Sequence, residues 1–245
     1  MKQKILVPVI LVLLAGIAAA APISPAGIDL NSILTPERFS SNIQLLITLS
    51  LITLVPFFLI SVTSFLRIVI VLGMIRVAVG TQQVPPNAVI VGLALFMTVF
   101  IMTPVWQEIN KTAVIPYNQN KISQTKALQN GLAPLRKFMF RQTREADLSL
   151  FIQFSRMQKP SNIDQIPTYV LIPAFMISEL KTAFQIGFLI FIPFIVIDLV
   201  VANILLSLGM FMLSPVMVSL PFKILLFVLS DGWNLICRGL MMSFR

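Results

Sequence analysis

The chain has 245 residues, of which 57% are hydrophobic and only 11% charged, with a mean hydropathy of +0.93. Soluble domains carry roughly 25% charged residues, so a soluble globular class is excluded. The net charge of +9 would suit nucleic acid or acidic lipid, but most basic residues lie in one central segment among Phe and Leu, which argues against nucleic acid. The chain has no histidine and a single cysteine, Cys237. That removes histidine-based general base catalysis, most zinc sites and any intrachain disulfide. Cys237 reads as a small apolar residue.

The first residues have the pattern of a secretory leader. Lys2 and Lys4 give a positive start, Ile5 to Leu14 an apolar core, and Ala18 to Ala21 small residues for cleavage. Pro22 disfavours a cut directly before it, so residues 1–20 are expected to be the removed segment. Residues 21–41, with Pro25, Gly27 and Pro36, read as a loop or extended arm.

A first apolar stretch begins near Asn42, with a proline at Pro56 that can kink it. Arg67 and Arg76 fall in its later part. Nine steps of about 100° turn them to opposite sides of a helix, so they are not expected to share a partner. Gly80, Pro85 and Pro86 predict a turn, Asn87 is expected to cap the next helix, and that helix should end near Trp106, whose ring suits an interface.

Residues 107–183 differ in character: Glu108 to Lys181 holds ten of the 18 Lys and Arg and five of the nine acids. Ser123 to Asn130 predicts a short helix stopped by Gly131, with a second begun by Pro134. Leu135, Phe138 and Met139 follow a helical spacing, as do Leu148, Phe151 and Ile152 after Asp147. These amphipathic helices need partners for their apolar faces. Pro173 is expected in the first turn of a long helix that passes Glu179 and enters the apolar stretch Phe184 to Leu208. Gly209, Pro215 and Pro221 break it, and a last apolar helix is expected to reach about Trp233.

Four groups of residues invite a functional reading. Asp198 and Asp231 raise an intramembrane aspartyl protease, but the Gly-x-Gly-Asp context is absent and one lies mid-helix, the other at a helix end. Asp198 reads instead as one of a set of intramembrane polar residues with Arg67 and Lys223, either of which can be its ion-pair partner; a role in proton coupling stays open. Glu179 and Lys181 point to different sides of their helix. Glu179 sits on an apolar face, where a carboxylate is costly unless paired; an arginine of another subunit would explain it, and a solvated surface position is the alternative. Met210, Phe211, Met212 and Met217 lie in a Gly- and Pro-broken loop. Soft thioethers suit a gasket around a moving polypeptide, closing to ions by dewetting. A solute transporter would need convergent polar groups at mid-membrane, and only Asp198 and Asn203 offer themselves.

Short motifs recur in order through the chain after residue 45. They are Ser64-Phe-Leu-Arg-Ile68, Gly80-Thr81, Val84-Pro-Pro-Asn87, Gly92-Leu-Ala-Leu-Phe96, Arg141-Gln-Thr-Arg-Glu-Ala-Asp147, Ser178-Glu-Leu-Lys-Thr-Ala-Phe-Gln-Ile-Gly187, Ile192-Pro-Phe194, Ile197-Asp-Leu199, Leu220-Pro-Phe-Lys223 and Asp231-Gly-Trp233. Together they resemble the FliP family of export-gate proteins of flagellar type III secretion, to which injectisome proteins are related. The leader, Gly80-Thr81 and Lys181-Thr-Ala-Phe-Gln185 resemble the flagellar branch more.

The resemblance implies a non-enzymatic protein without cofactors, located in the bacterial inner membrane and flagellar basal body with a periplasmic portion. It implies assembly of about five copies with FliR and FliQ proteins into a helical pore complex, largely lifted out of the bilayer, through which unfolded flagellar substrates pass. Energy would come from the proton motive force and an ATPase elsewhere in the apparatus. It implies a gating loop at residues 209–217, with Phe211 where a methionine is expected, and subunit contacts around Phe138, Phe151, Glu179 and Lys181. The expected fold is all-α. Two membrane-associated hairpins, 42–106 and 184–245, are joined by a helical periplasmic segment, 107–183.

Overall fold

The computed structural model describes residues 36–81, 83–155, 162 and 165–244, with side chains from residue 43. The expected leader and residues 21–35 of the arm lie outside the described residues. The rest of the arm is helical: α1 spans Pro36–Val62, with proline at its first position, where the missing N–H has no partner to lose. Contacts divide the chain into two units after Thr53, and the helices that position the site belong to the second, Leu54 to Arg245.

Every regular element among the described residues is helical. After α1 come α2 (Phe65–Val79) and α3 (Asn87–Ile109), which runs through a π-helical turn, Asn110–Val114, into the short α4 (Ile115–Asn118). The chain continues with α5 (Gln124–Gln142), α6 (Glu145–Phe154), α7 (Thr168–Ser207), α8 (Pro215–Leu229) and α9 (Gly232–Met242). Three stretches are long and apolar enough to cross a membrane: Ile43–Val62, Asn87–Asn118 and Thr168–Ser207. The pair α8 and α9, bent by 63°, makes a fourth if counted as one span.

The core forms around α2. Ile68, Val71, Leu72 and Ile75 recur at helical spacing and are no more than 1% exposed. They pack with Ala94 and Met97 of α3, Ala183 and Phe194 of α7 and Leu240 of α9. A second cluster joins Met139 of α5 to Leu171 and Phe175 of α7, with Leu135, Phe138 and Leu148 at its edge. The spacing of Leu135, Phe138 and Met139 therefore marks a true inward face. Gly80 ends α2 at φ 87°, where its N–H and that of Thr81 reach back to the carbonyls of Val77 (3.0 Å) and Arg76 (3.2 Å).

Helix α7 has 40 residues, about 60 Å at 1.5 Å per residue, twice the hydrocarbon thickness of a bilayer. Its two halves differ accordingly. Leu171, Ala174, Phe175, Ser178, Glu179 and Ala183 are buried in protein, whereas Phe188, Leu189, Val196 and Leu199 are exposed. An apolar surface of that kind needs lipid or protein against it.

Several boundaries differ from expectation. Asn87 is the first residue of α3 rather than its cap, and its Oδ1 accepts a hydrogen bond from Arg76 Nη1 across the turn (2.6 Å). The helix continues past Trp106. Pro173 lies inside α7, five residues beyond its start, and Pro221 lies inside α8 without ending it. The last helix does not finish at Trp233, which instead opens the separate α9. Gly131 and Pro134 do not divide α5. Gly131 is where α5 crosses the π-helical turn: a β-carbon there would meet the Ala113 methyl at 3.5 Å. Pro134 and Pro116 each deprive the carbonyl four residues earlier of its N–H. Those carbonyls belong to Asn130 and Thr112, and the two residues serve each other. Asn130 Nδ2 donates to the Thr112 carbonyl at 3.0 Å, and Thr112 Oγ1 approaches the Asn130 carbonyl at 3.5 Å while donating to Glu108 at 2.8 Å.

Candidate functional site

Arg67, in the first turn of α2, is 2% exposed, and Glu179 of α7 is fully buried. The guanidinium has five N–H donors, and all five are used. Nε donates to Glu179 Oε2 at 2.9 Å and Nη2 donates to Glu179 Oε1, forming a two-point ion pair. Nη2 also reaches Gln142 Oε1 of α5 at 2.9 Å, and Nη1 reaches the Ser243 carbonyl (3.0 Å) and hydroxyl (3.1 Å). The Phe244 ring covers the guanidinium at 3.9 Å and stacks on Phe138. One charged residue thus ties α2, α5, α7 and the segment after α9. The arginine expected from another subunit comes from Glu179's own chain, and the carboxylate is not on the surface.

On another side of α7, Ser178, Lys181, Thr182 and Gln185 form a polar stripe against α6. Asp147, in the first turn of α6 and 2% exposed, accepts from Ser178 Oγ (2.8 Å) and is ion-paired with Lys181. Ser178 Oγ in turn accepts the Arg144 N–H at 3.0 Å, and Arg144 Nη2 bonds Thr182 (3.1 Å) and Gln185 (2.5 Å). Burial pushes the Asp147 carboxyl up, but hydrogen bonds from Lys181 and Ser178 and the charges of Lys181 and Arg144 outweigh it and hold it below the usual value. Glu179 and Lys181 do point to different sides, as their spacing requires.

Between α7 and α8, Asp198 Oδ1 accepts from Ser219 Oγ at 2.5 Å and Oδ2 is ion-paired with Lys223 at 2.6 Å. Ser219 and Lys223 are four residues apart, on one face of α8. Of the two partners the sequence offered Asp198, the structure selects Lys223. The bonds to Ser219 and Lys223 leave no shared-proton pair with Asp231, which is exposed at the start of α9.

The turn from α7 to α8 is of a different kind. Gly209, at φ 71°, closes α7, and the next side chains turn outward. Phe211 is 77%, Met212 99% and Met217 70% exposed, with Met210 about half so. Met217 sits in the first turn of α8 rather than in the loop. Phe138 is half-buried, edge-on to Phe175 at 6.0 Å, and Phe151 is half-buried on α6. Gln142, Ser178, Ser219, Ser243 and Phe244 carry these networks and do not stand out in the sequence. Neutral side chains give no signal until their charged partners are placed beside them.

Comparison with known proteins agrees with this architecture. The FliP family model matches residues 48–240. The chain is 53% identical to the flagellar biosynthetic protein FliP of Bacillus subtilis over 89% of its own length and 98% of that protein's. It is 50% identical to the FliP protein of Borreliella burgdorferi over 85% of this chain and 83% of the other. With the Caulobacter vibrioides protein the identity is 40% over 100% and 92%.

Proposed function

Since this chain belongs to the FliP family and is a component of the flagellar export apparatus, we propose that it is a core subunit of the export gate, a non-enzymatic channel protein. In this reading about five copies assemble with FliR and FliQ proteins in the inner membrane at the basal body. The assembly conducts unfolded flagellar substrates. Residues 107–183 form its periplasmic portion and 1–20 a leader that is removed. Phe138, Phe151 and the α6–α7 surface beside Lys181 lie at or near subunit contacts.

One observation carries the gate. Met210, Phe211 and Met212 on a tight turn, with Met217 in the first turn of α8, are large apolar side chains exposed to solvent. An apolar, deformable patch at the end of a broken hairpin suits closure around a passing polypeptide. The Asp198–Lys223 ion pair ties α7 to α8 behind the turn, so the patch sits on a braced frame. Electron cryomicroscopy of the complex, purified from cells co-producing its membrane partners, tests this. A ring of residues 210–217 around the axis is the expected result. A loop facing lipid or a subunit seam would make this chain a scaffold and put the gate elsewhere.

A further inference from the structure

The Arg67 site has an asymmetry. Its ion pair with Glu179 uses Nε and one Nη2 hydrogen, and the other Nη2 hydrogen goes to Gln142. Ser243 takes only Nη1, through neutral acceptors. The segment after α9 can therefore depart and leave the buried charge paired.

The other end of α9 is built as a pivot. The chain bends 63° between α8 and α9, at Asp231, whose φ of 49° and ψ of 49° are left-handed values that a residue with a β-carbon rarely adopts. Gly232 is pressed beneath Phe227, so closely that a β-carbon would lie 2.4 Å from the ring. Between pivot and far end only Ile236 and Cys237 pack against the core, each half-buried. Leu235 and Met242 are more than half exposed. An open groove of about 600 Å³ separates Leu93 of α3 from Trp233, Cys237 and Met241. Leu240, Ser243 and Phe244 fasten the far end.

We propose that α9 is a hinged strap, pivoting at Asp231–Gly232 and latched by Ser243 and Phe244 on Arg67, which opens as a unit while the rest of the bundle stays folded. Opening bares Arg67 Nη1 and the groove-side face of α3, so the closed and open forms present different surfaces to an incoming neighbour. The strap opens in this way wherever residues 210–217 sit in an assembly.

The chain supplies its own probe, because Cys237 is its single cysteine and lies half-buried on α9. The rate of maleimide labelling is to be measured on the full chain in lipid nanodiscs, alongside its global unfolding in urea and the hydrogen exchange of the α9 amides. Phe244→Ala should raise the labelling rate about tenfold and speed exchange across α9 together, and in parent and variant alike the labelling rate should rise far less steeply with urea than global unfolding does. Leu235→Ala, on the outer face of α9, should change neither labelling nor exchange. Unchanged labelling in Phe244→Ala would overturn the strap. So would a labelling rate that rises with urea as steeply as global unfolding does, or faster labelling without faster α9 exchange, which would report only local uncovering of the thiol.

Discussion

Removing the Glu179 carboxylate is the most severe single change this structure offers. Glu179→Ala leaves Arg67 charged, 2% exposed, and with its Nε hydrogen and one Nη2 hydrogen without acceptors. Breaking a buried ion pair from one side costs about 3–5 kcal/mol, chiefly because the surviving charge is stranded. For a chain of this size each kcal/mol moves the midpoint by roughly 2–4 °C, so the melting temperature of the purified protein should fall by about 6–20 °C. Replacing both partners by apolar residues of similar volume, Arg67→Met with Glu179→Leu, should recover most of the loss, since neither charge then has to be desolvated. Melting curves of the two single variants and the double variant, combined as a cycle, check this. A loss below about 1 kcal/mol in Glu179→Ala, the range of a solvated surface pair, would refute the reasoning. So would additive losses in the double variant.

Other consequences are smaller. Changing Met210 and Met212 together to Ala should raise ion leak through the assembled complex without preventing assembly; unchanged conductance would remove the gasket role. Asp147 has a folded-state value held below its ordinary one, so its contribution is present above about pH 4 and is lost as pH falls through the folded value. The stability gap between the parent and Asp147→Asn, tracked by denaturant titration, should therefore narrow on acidification below about pH 4. Gly187 sits where α2 and α7 cross, and a β-carbon there would lie 2.2 Å from the Met74 sulfur. Gly187→Ala should cost about 1–3 kcal/mol by overpacking, and a second change, Met74→Ala, should restore most of it.

Local patterns carry much of the architecture. The inward face of α5, the opposed directions of Arg67 and Arg76, and the split between Glu179 and Lys181 all come from 100° per residue. Lys223 stands among the candidate partners of Asp198 because only a few charges occupy the apolar stretches. Two features are illegible. Proline and glycine read as breakers, yet α5 and α8 run through Pro134 and Pro221. Whether a helix survives a proline depends on what meets the freed carbonyl, and at Pro116 that is the Asn130 side chain, 18 residues from the Thr112 carbonyl it serves. Likewise, Arg67 and Glu179 are separated by 112 residues. Nothing in their local spacing distinguishes a partner in the same chain from one in a neighbour.

The length of α7 has a mechanical meaning. From Phe194, the last of its residues packed in the core around α2, to Ser207 are 13 residue steps, about 20 Å of rod, carrying the 210–217 turn at its far end. Tilting such a rod by about 10° sweeps its free end through roughly 3.5 Å, about the thickness of a phenyl ring. Asp198 and Lys223 strut the rod to α8 five residues past Pro193, where its backbone ladder is weakest. A tilt of a few degrees at the core is therefore delivered at the tip as a displacement on the order of an ångström.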